Sequence, residues 1–455
     1  MRDLIQAYLT TVGEQIRWKR ARPLLLRELE DHLLSESEAA QSKGMSPEEA
    51  QAEAVRLTGD PVIVGQELDL VHRPRPQWGL LALTLGLTAA GTILRVVLTE
   101  DWIYNGVVFF GNDRELCALA LLLGSAALLA GYFLDHTVLV RWGRVLFPAA
   151  LAVSFLLLPY WSPLYRAAYY GVNLLFQCVP LLYAGWLWSW RGRGRLGWIL
   201  CALGIPAALF VLLWAKYSFS PGLGSFLLLG AILTLLLASL TWGNWFALAR
   251  REARILAVGS ILVYGAAFLY LASRFSMPHS FAMLFHPEYF ADSYGYTAAT
   301  IRDMLAGVRW LGPADWAGPY PSEAAELVLP DGGNVYFLAT VLRKCGLLPF
   351  LLLAGTILLL AGLLLVRGFR QSSALARLTA ASVALPLLTY AVFSVLGNLG
   401  FVWLYVTLPL MGSNSILTAQ MTLIGMVLSV FRRERFPGSN AAPRTPEKRD
   451  PAVSS

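Results

Sequence analysis

Residues 329–334 read Leu329-Pro330-Asp331-Gly332-Gly333-Asn334, which sets one carboxylate and one amide three positions apart. Pro-Asp-Gly-Gly is a strong turn signal: Pro presets φ, Asp bonds to nearby backbone and Gly accepts positive φ. Asn334 then falls where a helix N-cap would stand. Around this motif lie the cations Arg274, Arg302, Arg309, Arg343 and Lys344, with Arg166 and Lys216 on two further loops. A guanidinium fork suits bidentate contact with phosphate. A solvated loop position or a snorkelling side chain is the other reading of each.

Other chemistries find little support. The four cysteines, at 117, 178, 201 and 345, form no CxxC, and the five histidines are scattered without an HExxH. Neither a zinc site nor a disulfide framework is indicated. Residues 1–77 hold 10 Lys/Arg and 13 Asp/Glu, so the net +7 of the chain comes from the remainder, mostly from loop arginines. Arginines spaced along short loops set membrane topology, and nucleic-acid binding is not needed to explain them.

The elements that must position these residues are apolar helices. The chain of 455 residues is 56% hydrophobic and 14% charged, against about 25% charged for a soluble domain. Ten stretches from Trp78 to Phe431 are long enough to cross a bilayer, near 79–98, 116–134, 143–160, 171–190, 196–214, 224–246, 255–273, 346–366, 379–403 and 410–431. A crossing takes about 20 apolar residues, because the hydrocarbon layer is about 30 Å thick. The short loops alternate in charge. One set carries eleven arginines, in 141–144, 191–195, 250–254 and 367–377; the other carries only Arg114, Arg166 and Lys216. Because cytoplasmic loops hold the excess of Lys and Arg, both termini are expected in the cytoplasm and the long loop 274–345 outside. The fold class expected is all-α: a polytopic membrane protein of about ten helices, preceded by a small cytoplasmic helical domain over 1–72.

In that domain, Leu24, Leu25, Leu26, Leu29, Leu33 and Leu34 mark an amphipathic helix. Ser46-Pro47-Glu48-Glu49 restarts the chain as a helix with a capping box. Gly59-Asp60-Pro61 opens a third helix through Leu68, and Arg73-Pro74-Arg75-Pro76 links to the first membrane helix. The tail 434–455, rich in Pro, Ser, Ala, Lys and Arg, has a disordered composition.

Four patches resemble the SEDS family (FtsW/RodA/SpoVE) of bacterial division, elongation and sporulation. The first is Pro206 with Pro221-Gly222-Leu223-Gly224-Ser225. The second runs through Arg274-Phe275, Phe285-His286-Pro287, Gly295-Tyr296 and Leu311-Gly312. The third is Leu329-Pro330-Asp331, Phe337 and Gly346-Leu347. The fourth is Asn398-Leu399-Gly400, Leu408-Pro409-Leu410, Gly412, Ser415 and Ser429-Val430-Phe431-Arg432-Arg433. The likeness covers 78–433. Separately, Arg22-Pro23, Leu26-Arg27-Glu28-Leu29, Asp31-His32-Leu33, Gly44–Ala50 and Thr58-Gly59-Asp60-Pro61 resemble the permease-prefix module.

The SEDS resemblance implies an enzyme of cell-wall synthesis in a bacterial plasma membrane: a peptidoglycan glycosyltransferase that polymerises lipid II, a disaccharide–peptide on undecaprenyl pyrophosphate. It implies a class B penicillin-binding transpeptidase as partner, and a divalent cation, Mg²⁺, as possible cofactor. The reaction wants a carboxylate near the attacking hydroxyl and cations at the pyrophosphate. The resemblance makes Asp331 and Asn334 the candidate catalytic positions and Arg274, Arg302, Arg309 and Arg343 the candidate substrate-binding ones. The chain departs from the family here, since Asn334-Val335-Tyr336-Phe337 stands where the family has Asp-Phe-Ile-Phe. An amide is no general base at neutral pH, so Asp331 is the available carboxylate. Phe176-Gln177-Cys178-Val179-Pro180 likewise keeps a glutamine and a proline but lacks the family's Glu and Lys. Two alternatives remain open: a silent relative acting as scaffold or regulator, and a transporter of a lipid-linked precursor.

Overall fold

Runs of Leu, Ala, Val and Ile without charge leave the backbone nothing but itself to bond with in lipid, and helix is the form that satisfies every group within one segment. The computed structural model describes residues 3–18, 22–72, 76–98, 102–104, 107–110, 114–134, 137–157, 165–216, 223–275, 286–290, 295–315, 335–401, 406–411 and 414–432. All ten expected apolar stretches are helices: α5 (Trp78–Leu98), α6 (Arg114–Phe133), α7 (Thr137–Leu157), α8 (Tyr165–Ser189), α9 (Gly194–Lys216), α10 (Leu223–Trp242), α11 (Arg250–Phe275), α14 (Leu347–Phe369), α15 (Ala374–Asn398) and α16 (Asn414–Arg432). Six of them are long and apolar enough over their described residues to cross a membrane, and the other four are apolar but shorter there. The chain is an all-α polytopic membrane protein. Its small exception is an antiparallel hairpin of β1 (Trp102–Tyr104) and β2 (Val107–Phe110), with Ile103 opposite Val108.

Two compact units divide the chain. The first comprises residues 1–76 with 371–377 and the end of the chain from Phe431. It holds four helices, α1 (Asp3–Gln15), α2 (Arg22–Gln41), α3 (Pro47–Thr58) and α4 (Pro61–His72), one more than the leucine pattern indicated. α1 escapes that pattern because its core residues Ile5, Tyr8, Leu9 and Val12 are diluted by Thr10 and Thr11. With Leu25, Leu33 and Ala54 they form the unit's core. The capping box is present: Ser46 Oγ accepts from Glu49 N at 3.4 Å, and Glu49 Oε2 accepts from Ser46 N at 3.1 Å. The Ser46 hydroxyl, donating to Glu49 Oε2 at 2.7 Å, and then the Ser46 N–H hold the Glu49 carboxyl below its ordinary range. Asp60 caps α4 by accepting from Val62 N at 2.8 Å. The expected link over 73–75 and the tail from 434 lie outside the described residues.

The second unit holds the membrane helices. One core lies among α7–α10, around Phe147, Val179, Tyr183, Leu187, Leu212 and Leu229. Tyr183 hides its hydroxyl there by donating to Cys201 O at 2.9 Å. Elsewhere α6 and α16 cross at backbone contact. A Cβ added to Gly131 would lie 2.3 Å from Thr422 O, and one added to Gly425 2.3 Å from Leu128 O. In lipid, where apolar side chains gain little by leaving their surroundings, such close small-residue crossings supply packing energy. Pro148, Pro180, Pro206 and Pro386 sit inside helices, as membrane helices tolerate.

Candidate functional site

The segment 274–345 is not one long loop. Pro287–Phe290 forms a 3-10 turn, Tyr296–Ala306 is helix α12 and Phe337–Cys345 is helix α13. α12 and α13 pack through Ile301, Met304, Tyr336 and Ala339, all buried. The irregular segment 307–315 then folds back on the break between α13 and α14. Gly312 N–H donates to Cys345 O at 2.9 Å, Ala314 N–H to Arg343 O at 2.8 Å, and Leu347 N–H to Arg309 O at 2.9 Å. The break is at Gly346, with φ of +98 and no space for a Cβ, which would lie 2.9 Å from Arg309 O. A larger residue here would lose both the turn and the brace.

Asn398, at the end of α15, ties this assembly to the membrane helices. It is 1% exposed. Its Oδ1 accepts from Ala339 N at 2.8 Å, while its Nδ2 donates to Val335 O at 2.9 Å and to Ser394 O at 2.8 Å. The first N–H groups of a helix have no partner within it, and α13 has no side-chain cap of its own. Asn398 therefore acts as a cap supplied from another helix. It fixes the chain at Val335, one residue beyond Asn334. Gly400 follows with φ of +72, and its carbonyl accepts from Arg302 Nε at 3.0 Å. The Arg302 guanidinium lies 5.4 Å from the centroid of Phe401.

The candidate residues meet different fates. Asp331 and Asn334 lie outside the described residues. Arg274 falls in the last turn of α11, with its side chain likewise outside the description. Arg302 is aimed at Gly400 as just given. Arg309 is engaged by the Asp315 carboxylate, Nε to Oδ2 at 2.8 Å, so its fork is already paired. Arg343 lies half-buried in the last turn of α13. Lys344 donates to Leu98 O at 2.8 Å, a cation on the last carbonyls of α5. Arg95 reaches Met411 O at 3.1 Å rather than snorkelling free. Gln177, the glutamine kept in α8, accepts from Gln420 Nε2 at 3.4 Å, and Gln420 Oε1 accepts from Leu410 N at 2.8 Å. That bond steadies Leu410 at a φ of 65, uncommon for a residue with a side chain.

The sequence marks Asn398 through the Asn-Leu-Gly patch but does not show which three hydrogen bonds it makes; Glu288 escapes the sequence reading. Glu288 pairs with His286 Nδ1 at 2.9 Å in the 3-10 turn. Its carboxyl is held below its ordinary range by its own backbone N–H, then by His286 and, more weakly, by the charge of Arg302. The described part of the site thus presents the exposed His286–Glu288 pair and, on α12, the Arg302 cation turned to Gly400 O.

No family model matches the sequence, and no curated protein matches it. Solved structures do. A chain of a peptidoglycan synthase complex that coordinates polymerisation and crosslinking aligns with a TM-score of 0.52 at 19% identity, over 79% of this chain and 98% of that one. An alanine variant of the rod shape determining protein RodA of Thermus thermophilus aligns with a TM-score of 0.48 at 18% identity, over 79% and 98%. The first of these likenesses shows that 79% of this chain shares the fold of nearly the whole of that chain.

Proposed function

We propose that this protein is a SEDS-type glycan-strand polymerase of the bacterial cell envelope. It would join the 4-hydroxyl of one lipid II to the anomeric carbon of the growing strand and release undecaprenyl pyrophosphate. The observation that carries this reading is the fold shared over 98% of a chain from a peptidoglycan synthase complex, together with the four sequence patches. Because that complex coordinates polymerisation with crosslinking, the likeness also supports a crosslinking partner, in this reading a class B penicillin-binding transpeptidase. The first unit is read as a permease-prefix-like domain, with both termini cytoplasmic.

In this reading Asp331 accepts the proton of the attacking hydroxyl. Val335–Ala339, held by Asn398, anchors the segment that carries it. Arg302, Arg274 and Arg343 are the cations assigned to the leaving pyrophosphate, and Arg309 has first to part from Asp315. The SEDS resemblance also implies a divalent cation, Mg²⁺, which would neutralise charge developing on the leaving pyrophosphate.

Purified protein given lipid II and Mg²⁺ tests the reading by gel separation of glycan strands. Asp331→Ala is expected to lower the rate by about 10²–10⁴-fold, the usual contribution of a positioned base. Asn334→Asp is expected to raise activity or leave it unchanged. Full activity of Asp331→Ala removes Asp331 from the mechanism. The amide at 334 favours a second reading, a silent relative that scaffolds the synthase. An inactive wild type whose Asn334→Asp variant gains activity decides for it.

A further inference from the structure

At the end of the helices opposite α12 and α13, two short loops are locked together. Residues 190–193 join α8 to α9, and 243–249 join α10 to α11. Gly192 N–H donates to Trp245 O at 3.0 Å and Gly194 N–H to Phe246 O at 2.9 Å. The Trp245 indole donates to Leu187 O at 3.0 Å. Asn244 and Ala247 take φ of 59 and 56 to make this fit, conformations that persist only where the surroundings enforce them. The result is a rigid frame, and what it holds is arginine on tryptophan. The Arg191 guanidinium lies 4.7 Å from the Trp245 ring centroid and 5.3 Å from that of Trp188. Arg193 lies 5.1 Å and Arg144 5.7 Å from Trp190.

Segments 189–195 and 243–254 hold six arginines and one carboxylate. That carboxylate, Glu252, is taken by Arg195 at 2.5 Å. Among the described residues the Arg191 and Arg193 side chains are held by indole faces and by no carboxylate. A ring face fixes the plane of a guanidinium and leaves its N–H edges available. Tryptophan belts of membrane proteins sit at the level of the lipid headgroups. From this loop an apolar stripe runs along α9: Leu196, Ile199, Leu203 and Phe210 are all exposed and share one helical face.

We propose that Arg191 and Arg193, on the Trp188, Trp190 and Trp245 platform, form a binding site for the phosphate of an anionic phospholipid, whose acyl chains lie along the α9 stripe. Headgroup site and acyl surface are continuous, which a free phosphate would not use. The inference is independent of the polymerase reading and of which leaflet this end faces.

Native mass spectrometry of the full-length protein in detergent tests it. Phosphatidylglycerol and phosphatidylcholine with the same acyl chains are added separately. Phosphatidylglycerol is expected to stay bound at collision energies that strip phosphatidylcholine. The double variant Arg191→Gln/Arg193→Gln is expected to lose phosphatidylglycerol affinity roughly 30-fold, as two surface cations contribute. Arg191→Lys/Arg193→Lys, which keeps the charge and loses the stacked forks, is expected to fall between. Equal retention of the two lipids overturns the proposal. So does wild-type affinity in the lysine variant, which would mean diffuse charge rather than a built site. Displacement of the lipid by millimolar inorganic phosphate would make it a soluble-anion site and overturn the lipid assignment.

Discussion

At the scale of the residue, Asn398 carries the argument. Its carboxamide satisfies one orphan N–H of α13 and two carbonyls, one of them at the end of its own helix. In a buried position each partner left unpaired costs about 1–3 kcal/mol. Asn398→Ala abandons Ala339 N–H and Val335 C=O together, so a loss of about 2–4 kcal/mol is expected. Asn398→Asp keeps an acceptor for Ala339 but turns oxygen toward the Val335 and Ser394 carbonyls, and should be no better. Thermal unfolding in detergent, followed by tryptophan fluorescence at a fixed scan rate, checks this. An unchanged midpoint in Asn398→Ala would mean the bond network is not holding α13. The expected consequence for chemistry is indirect, since Asn398 holds Val335 and Ala339 and does not itself accept a proton.

At the scale of the element, what could be read from the sequence followed from length. A membrane helix announces itself through some 20 residues without charge, and all ten stretches are helices. The site helices have no such signal. α12 is 11 residues long between glycines and rich in Thr; α13 is nine residues and ends in Arg343-Lys344, which reads as loop. Nor could a sequence show that Lys344 meets Leu98, or that Asn398 meets Ala339, because those pairs lie 246 and 59 residues apart. Gly346 and the Asn398–Gly400 patch are picked out by the resemblance alone; only the geometry shows the turn at Gly346 and the bonds from Asn398 to Ala339 and from Arg302 to Gly400. The Gly131–Gly425 crossing belongs to the same class of hidden contact. Gly425→Leu would drive a side chain into Leu128 O, which no rotamer of a flexible neighbour can relieve. Separation of α6 from α16 is expected, seen as loss of monodisperse protein in size-exclusion chromatography. Gly86→Leu, at an open position on α5, should behave as wild type.

At the scale of the whole molecule, the distribution of charge predicts orientation. Eleven arginines occupy one set of short loops and three cations the other. The excess end is expected in the cytoplasm, since Lys and Arg near membrane helices resist translocation. At that end Arg144, Arg191 and Arg193 rest on tryptophan, and Arg367 donates to Gln77 Oε1 at 3.2 Å beside the start of α5. At the opposite end Arg95, Arg302 and Lys344 turn to backbone carbonyls, and Arg309 pairs with Asp315. Ten crossings return the chain to its starting side, so both termini should lie in the cytoplasm and 313–328 outside. Alkaline phosphatase inserted within 313–328 should be active, and a green fluorescent protein at the C-terminus should fluoresce. The reverse pattern would place the α12–α13 assembly in the cytoplasm. A lipid-linked substrate presented on the outer face could then not reach it, and the polymerase reading would fall with the topology.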